Sequence, residues 1–133
     1  MLVKIYRGEE LIGGQIRLAA NFFSRLRGLL FRPELKEGEG LLLFPCRQVH
    51  TFLMAFSIDV LFLDKKGVIV ELLPEMGPGR VSPLVREAYQ VLELPAGLVQ
   101  KKKLRKGEQL FINKNGNRKH KLLNDGNTTN NNY

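Results

Sequence analysis

The sequence predicts one mainly β domain, a small antiparallel β-sandwich or barrel-like fold with one short amphipathic helix near residues 21–32. Three observations carry that prediction. Short apolar runs rich in Val, Ile, Leu and Phe recur along the chain, separated by Gly, Pro or Asp-Lys turn signals. A single early segment changes to helical spacing. A chain of 133 residues also buries enough for one hydrophobic core without staples of disulfide or structural metal.

The elements follow in order. LVKIYRGEELIGGQIRLAA alternates apolar and polar residues and reads as a strand, a turn at Gly13-Gly14 and a second strand. NFFSRLRGLLFRPEL then places Phe22, Phe23, Leu26, Leu29 and Leu30 on one helical face, with Asn21 as N-cap and Pro33 as the stop. Its polar face gathers Arg25, Arg27 and Arg32, and Gly28 predicts a close packing contact, because glycine is costly inside a helix. LLLF before Pro45 reads as a short buried strand. IDVLFLD and VIVELL form a hairpin through Asp64, Lys65, Lys66 and Gly67. The Gly- and Pro-rich loop PEMGPGRVSP leads to two further strands, in EAYQVLELPAG and EQLFI.

Charge divides the chain. Residues 101–133 hold 9 of the 21 Lys and Arg but only 2 of the 13 Asp and Glu, so they carry nearly all of the net charge of +8. We expect a globular domain over residues 1–113 and a flexible basic, Asn-rich tail over 114–133, since the tail's only apolar pair is Leu122 and Leu123. His120 then belongs to solvent. Such a tail predicts weak, salt-sensitive polyanion binding; without interleaved aromatics it is no platform for stacking bases. One cysteine excludes an internal disulfide, and the N-terminus lacks the pattern of a signal peptide. No run reaches membrane-spanning length. The expectation is a cytoplasmic protein.

Chemistry concentrates in CRQVHTFLMAFSIDVLFLD, residues 46–64. Cys46 and His50 lie four apart, which on an extended strand is about 13 Å, too far to share one ion without a turn. With Met54 they would suit a soft metal, and with Asp59 they supply the residue types of a thiol nucleophile, base and orienting group. Neither set has a spacing that ties it together, and no nucleophile elbow, phosphate loop or cofactor motif is present. Asp59 and Glu93 sit inside apolar strands and each needs a partner, for which Arg80 or a helix arginine is available. We therefore read the segment as a loop feeding a buried strand. His50, Thr51, Met54, Asp59 and Arg80 are the expected lining of a pocket for a small polar or anionic ligand, in a ligand-binding or interaction domain with no catalysis of its own, no cofactor and no metal. An enzyme using Cys46, His50 and Asp59, or a soft-metal binder, is the alternative.

The phrases RLRGLLFRPEL, HTFLMAFSIDVLFLD, GVIVELL, VLELPAG and KGEQL occur in the order seen in the bacterial and archaeal family known as domain of unknown function 192, which the chain resembles over residues 16–112. The resemblance implies a compact β fold and no particular reaction. His50, Thr51, Met54, Asp59, Arg80, Glu93, Pro95 and Gly97 stand where the family pattern has them. Leu53 stands where many relatives carry Trp, Ala55 near a basic position, Ser57 at a common proline and Lys103 at a common glycine.

Overall fold

Period-two alternation sorts the strands into one curled mixed sheet. The computed structural model describes residues 1–20 and 34–113, and the backbone of residues 121–122. The strands are β1 (Leu2–Arg7), β2 (Glu10–Ala19), β3 (Glu39–Leu43), β4 (Ile58–Leu63), β5 (Ile69–Met76), β6 (Gln90–Pro95), β7 (Phe111–Asn113) and β8 (Lys121–Leu122). A five-residue helix, α1 (Leu98–Lys102), lies between β6 and β7. The order across the sheet is β5-β4-β6-β3-β2-β1-β7-β8. Every neighbouring pair is antiparallel except β2 and β3, which run parallel from Gln15 beside Glu39 to Ala19 beside Leu43. That exception has a chain-length cause: residues 20–38 separate the two strands, enough for the crossover that parallel pairing requires.

The sheet curls without closing into a barrel. Near the start of β5, Ile69 N–H donates to Glu108 O at 2.8 Å and Leu110 N–H to Gly67 O at 2.9 Å. These bonds draw the approach to β7 back against β5, but the ladder there is one isolated bridge, Val68 with Gln109. Between that bridge and the end of β5, Glu71 occupies the free edge: its carboxylate accepts Leu72 N–H at 3.0 Å and pairs with Lys106 at 3.0 Å. The Leu72 N–H first, and then Lys106, hold this carboxyl below the ordinary range. A charged side chain folded over an edge strand discourages pairing with another chain.

Alternation also divides the core. In β4, Leu61 and Leu63 face one cluster, with Val3, Ile5, Ile16, Leu92, Leu94, Val99 and Leu110, inside the curl. Ile58, Val60 and Phe62 face a second cluster, with Leu41, Leu43, Val91, Met76 and, from loops, Val49, Met54, Val85 and Ala88. All six residues of β4 are buried, as a strand covered on both faces must be.

Sequence and structure differ at the first turn. It falls at Gly8 and Glu9, with Gly8 at φ 59° and Arg7 paired with Glu10, while β2 continues through Gly13 and Gly14, its register with β1 shifting on either side of Gly13. Gly13 serves space instead: a Cβ there would lie 2.6 Å from Ile16 Cδ1. Helix α1 was not expected from the sequence; it is too short to show a helical period. The expected helix near residues 21–32, with Gly28, lies outside the described residues, as does the tail beyond Asn113 apart from the backbone of β8.

Helix α1 ends at Lys103, whose backbone sits in the left-handed region at φ 55°. Arg7 clamps this end, its Nη2 donating to Lys102 O at 2.7 Å and its Nη1 to Lys103 O at 3.3 Å. Glycine adopts the left-handed conformation without steric cost. We expect Lys103→Gly to stabilise the domain by about 0.5–1 kcal/mol, read as a higher denaturation midpoint at unchanged slope.

Candidate loop-ribbon site

Two long loops, β3–β4 (residues 44–57) and β5–β6 (residues 77–89), start at opposite ends of the sheet and run antiparallel beside one another over the second core cluster. Their pairing is irregular but continuous. Val85 N–H donates to Arg47 O at 2.9 Å, Ser82 N–H to Val49 O at 2.9 Å, and Thr51 N–H to Arg80 O at 2.8 Å. His50 and Val81 form a bridge between the last two of these contacts. Side chains complete the stitching, with Ser82 Oγ accepting Val49 N–H at 2.9 Å and Gln48 Nε2 donating to Ser82 O at 2.9 Å.

Thr51 is the principal fastening. It is fully buried; its hydroxyl donates to Gly77 O at 2.6 Å and accepts Arg80 N–H at 2.9 Å, while its carbonyl accepts Gly79 N–H at 3.0 Å. A β-hydroxyl on an otherwise strand-like residue thus fixes where the second loop turns. Arg80 is exposed as a result, its backbone held and its side chain in solvent. It lies on a cleft of about 380 Å³ lined mainly by Leu73, Pro74, Met76, Val81 and Pro83. Arg80 is the one cation and Glu75 the one anion among the lining residues.

The expected site residues divide by position. Met54 is buried in the second core cluster, under the first loop. His50 is half-buried on the first loop, bridged to Val81 and not among the residues that line the cleft; its Nδ1 accepts Phe52 N–H at 3.3 Å and its ring stacks on Phe52 at 5.0 Å between centroids. Asp59 points the other way, into the inside of the curl, and is fully buried. Its Oδ1 accepts Glu75 N–H at 2.7 Å and Gly97 N–H at 3.1 Å, and its Oδ2 accepts Val99 N–H at 2.7 Å. One carboxylate therefore ties β4 to the end of β5 and to the start of α1, where Gly97 stands at φ 93°. Among the described residues no arginine pairs with Asp59; three backbone N–H groups hold its carboxylate.

Cys46, His50 and Asp59 do not converge. Cys46 packs against the second cluster and its thiol donates to Gln48 O at 3.2 Å, on the opposite side of the sheet from Asp59. Among the described residues no group of three or more His, Cys, Asp or Glu is placed to hold a metal. Glu93 is fully buried in β6. No described helix is long and apolar enough to cross a membrane.

Sequence reasoning missed Phe52, Val81 and Leu84 as surface residues. All three are apolar side chains left exposed on the loops. A signal was present: each lies in a stretch broken by Gly or Pro, or preceding a strand, where a large apolar residue has no strand face to join.

Known proteins agree with this fold. The family model for domain of unknown function 192, described as "Uncharacterized ACR", matches residues 4–112. A UPF0127 protein of Pyrococcus abyssi is 31% identical over 100 residues, covering 73% of this chain and 85% of its own length. Another, of Thermococcus sibiricus, is 31% identical over 104 residues; the match covers 74% of this chain and 66% of that protein's length. A crystal structure of a protein of unknown function from Novosphingobium aromaticivorans DSM 12444 superposes with a TM-score of 0.71 over 83% of each chain at 19% identity. That likeness concerns fold alone. The family match over residues 4–112 and the archaeal relatives at 31% identity place the chain in the domain of unknown function 192 family.

Proposed function

We propose that this protein is a binding domain without catalysis of its own, which takes a small polar ligand carrying a carboxylate or similar anionic group. The observation that carries the reading is Arg80: an exposed arginine held by its backbone on a cleft whose other lining residues are mainly apolar, with Glu75 the one anion. A guanidinium recognises a carboxylate through two parallel N–H donors, and the apolar wall takes the body of the ligand. His50 stands on the neighbouring loop, bridged to Val81 of the lining, while Thr51, Met54 and Asp59 act behind the surface, fastening the loops and the end of β5. In this reading the sheet supplies rigidity and the loops supply recognition, the usual division in domains that bind. The separation of Cys46 from Asp59 supports binding over the thiol-enzyme alternative. A cytoplasmic setting, with the basic tail adding weak attraction to polyanions, belongs to the same proposal.

The test is a calorimetric or NMR titration of the full chain with phenylacetate and with its neutral amide. The carboxylate should bind the more tightly, by about ten-fold, and Arg80→Gln should remove the difference while leaving the melting temperature unchanged. Equal affinity for the two compounds, or a preference that survives Arg80→Gln, would sink the proposal.

A further inference from the structure

We infer that the outer face of the loop ribbon is a docking surface for an acidic polypeptide segment that carries an apolar anchor. This inference goes beyond the small-ligand cleft: it shares Arg80 and Val81 with the cleft lining and adds Phe52, Leu53 and Leu84. Seven large hydrophobic residues are exposed among the described residues, and four of them belong to the two loops: Phe52 at 49%, Leu53 at 86%, Val81 at 56% and Leu84 at 55%. Both loops contribute. The ribbon pairing sets them on one strip, since Phe52 stacks on His50, His50 bridges Val81, and Leu84 precedes the Val85–Arg47 contact.

Leu53 shows that this exposure is not slack in the fold. The Thr51–Met54 turn is closed by Met54 N–H donating to Thr51 O at 3.2 Å, and Leu53 is its third residue, at φ 65°. Turns with positive φ at that position favour glycine or asparagine, and a branched aliphatic residue there is strained. A strained leucine that buries little of itself does nothing for stability. Its side chain is available to a partner.

Charge decides what kind of partner. The segments 45–57 and 77–89 carry Arg47, Arg80 and Arg86 against one acidic residue, Glu87. Arg47 Nε donates to Ala88 O at 3.1 Å, which orients the guanidinium beside the strip before anything binds. Apolar anchors framed by arginines fit a segment whose carboxylates pair with the guanidiniums while one leucine or phenylalanine packs against Phe52 and Val81 and its neighbours reach Leu53 or Leu84. Arginine forks match discrete carboxylates in a way that a diffuse anionic surface does not require.

The experiment is an amide-resolved NMR titration of the full chain with the synthetic peptide acetyl-Asp-Glu-Leu-Phe-Glu-Asp-amide. Its serine analogue, Asp-Glu-Ser-Ser-Glu-Asp, and phosphatidylserine vesicles are run in parallel. Shifts should cluster at His50–Leu53 and at Leu84–Arg86, outside the cleft lining, and Leu53→Ser should weaken binding about ten-fold. Because Leu53 is exposed and strained, this variant keeps its fold. Arg86→Glu should weaken binding again, and the serine analogue should fail to shift the strip. Shifts confined to the lining of the cleft or to the tail, equal binding of the serine analogue, or capture by vesicles that Leu53→Ser abolishes would each overturn the inference. Loss of phenylacetate selectivity with the peptide result intact would count against the cleft alone.

Discussion

Asp59→Ala should lower the stability of the domain by about 4 kcal/mol, the largest effect we expect from a single polar substitution. Three backbone donors, from Glu75, Gly97 and Val99, lose their acceptor at once, and none of the three has another within the sheet ladder. Each buried N–H left without a partner costs about 1–3 kcal/mol, reduced here because α1 and the end of β5 open partly toward water. Asp59→Asn keeps one acceptor oxygen and should lose roughly half as much. Urea denaturation at neutral pH measures both. A loss under 1 kcal/mol for Asp59→Ala would mean that the carboxylate is not what holds α1 and β5 to β4.

The second large effect is Gly40→Ala, for which we expect a loss of about 3 kcal/mol. A Cβ at Gly40 would stand 2.7 Å from Glu93 O and from Ile16 Cδ1, and 3.1 Å from Leu94 Cδ2. The isoleucine can rotate away, but the carbonyl oxygen belongs to β6, paired on both sides, and cannot. Strand β3 must therefore move off β6, which opens both core clusters. Gly14→Ala is the matched control. Its nearest neighbour would be Leu11 Cδ2 at 3.7 Å, an ordinary contact, so its stability should stay within about 0.5 kcal/mol of the parent.

How far the fold was legible in the sequence depends on what kind of partner each residue has. Strands β4 and β6 were legible because apolar side chains record burial directly: IDVLFL and QVLELP can only be strands covered on both sides. The hairpin between β4 and β5 was legible from Asp64, whose carboxylate accepts Lys66 N–H and Val68 N–H, a short-range pattern with a sequence signature. The parallel pairing of β2 with β3 was not, because pairing direction is set by a crossover and not by side-chain type. Asp59 was legible as a residue that needs partners, but its partners are backbone amides of residues 16 to 40 positions away. Amides carry no residue identity, so no reading of side chains finds them.

The site divides along the same line. His50 and Arg80 were legible as loop residues because each is a polar group outside the apolar strand runs. Thr51 was expected in the pocket lining, and its hydroxyl instead serves two backbone groups of the other loop. The exposed strip of Phe52, Leu53, Val81 and Leu84 was hidden because an apolar residue in sequence reads as core until the fold shows which face it lacks.

The central claim is that the sheet holds the two loops as a preformed recognition surface, fastened through Thr51. Amide hydrogen exchange in the free, full-length chain tests it most directly. The account predicts that the amides of Thr51, Gly79, Arg80, Ser82 and Val85 exchange at least about 100-fold more slowly than unstructured peptide, and that Thr51→Val removes this protection at Arg80, whose N–H loses its hydroxyl acceptor, while β4 and β6 stay protected. Exchange of those loop amides at the unstructured rate in the parent protein would contradict it.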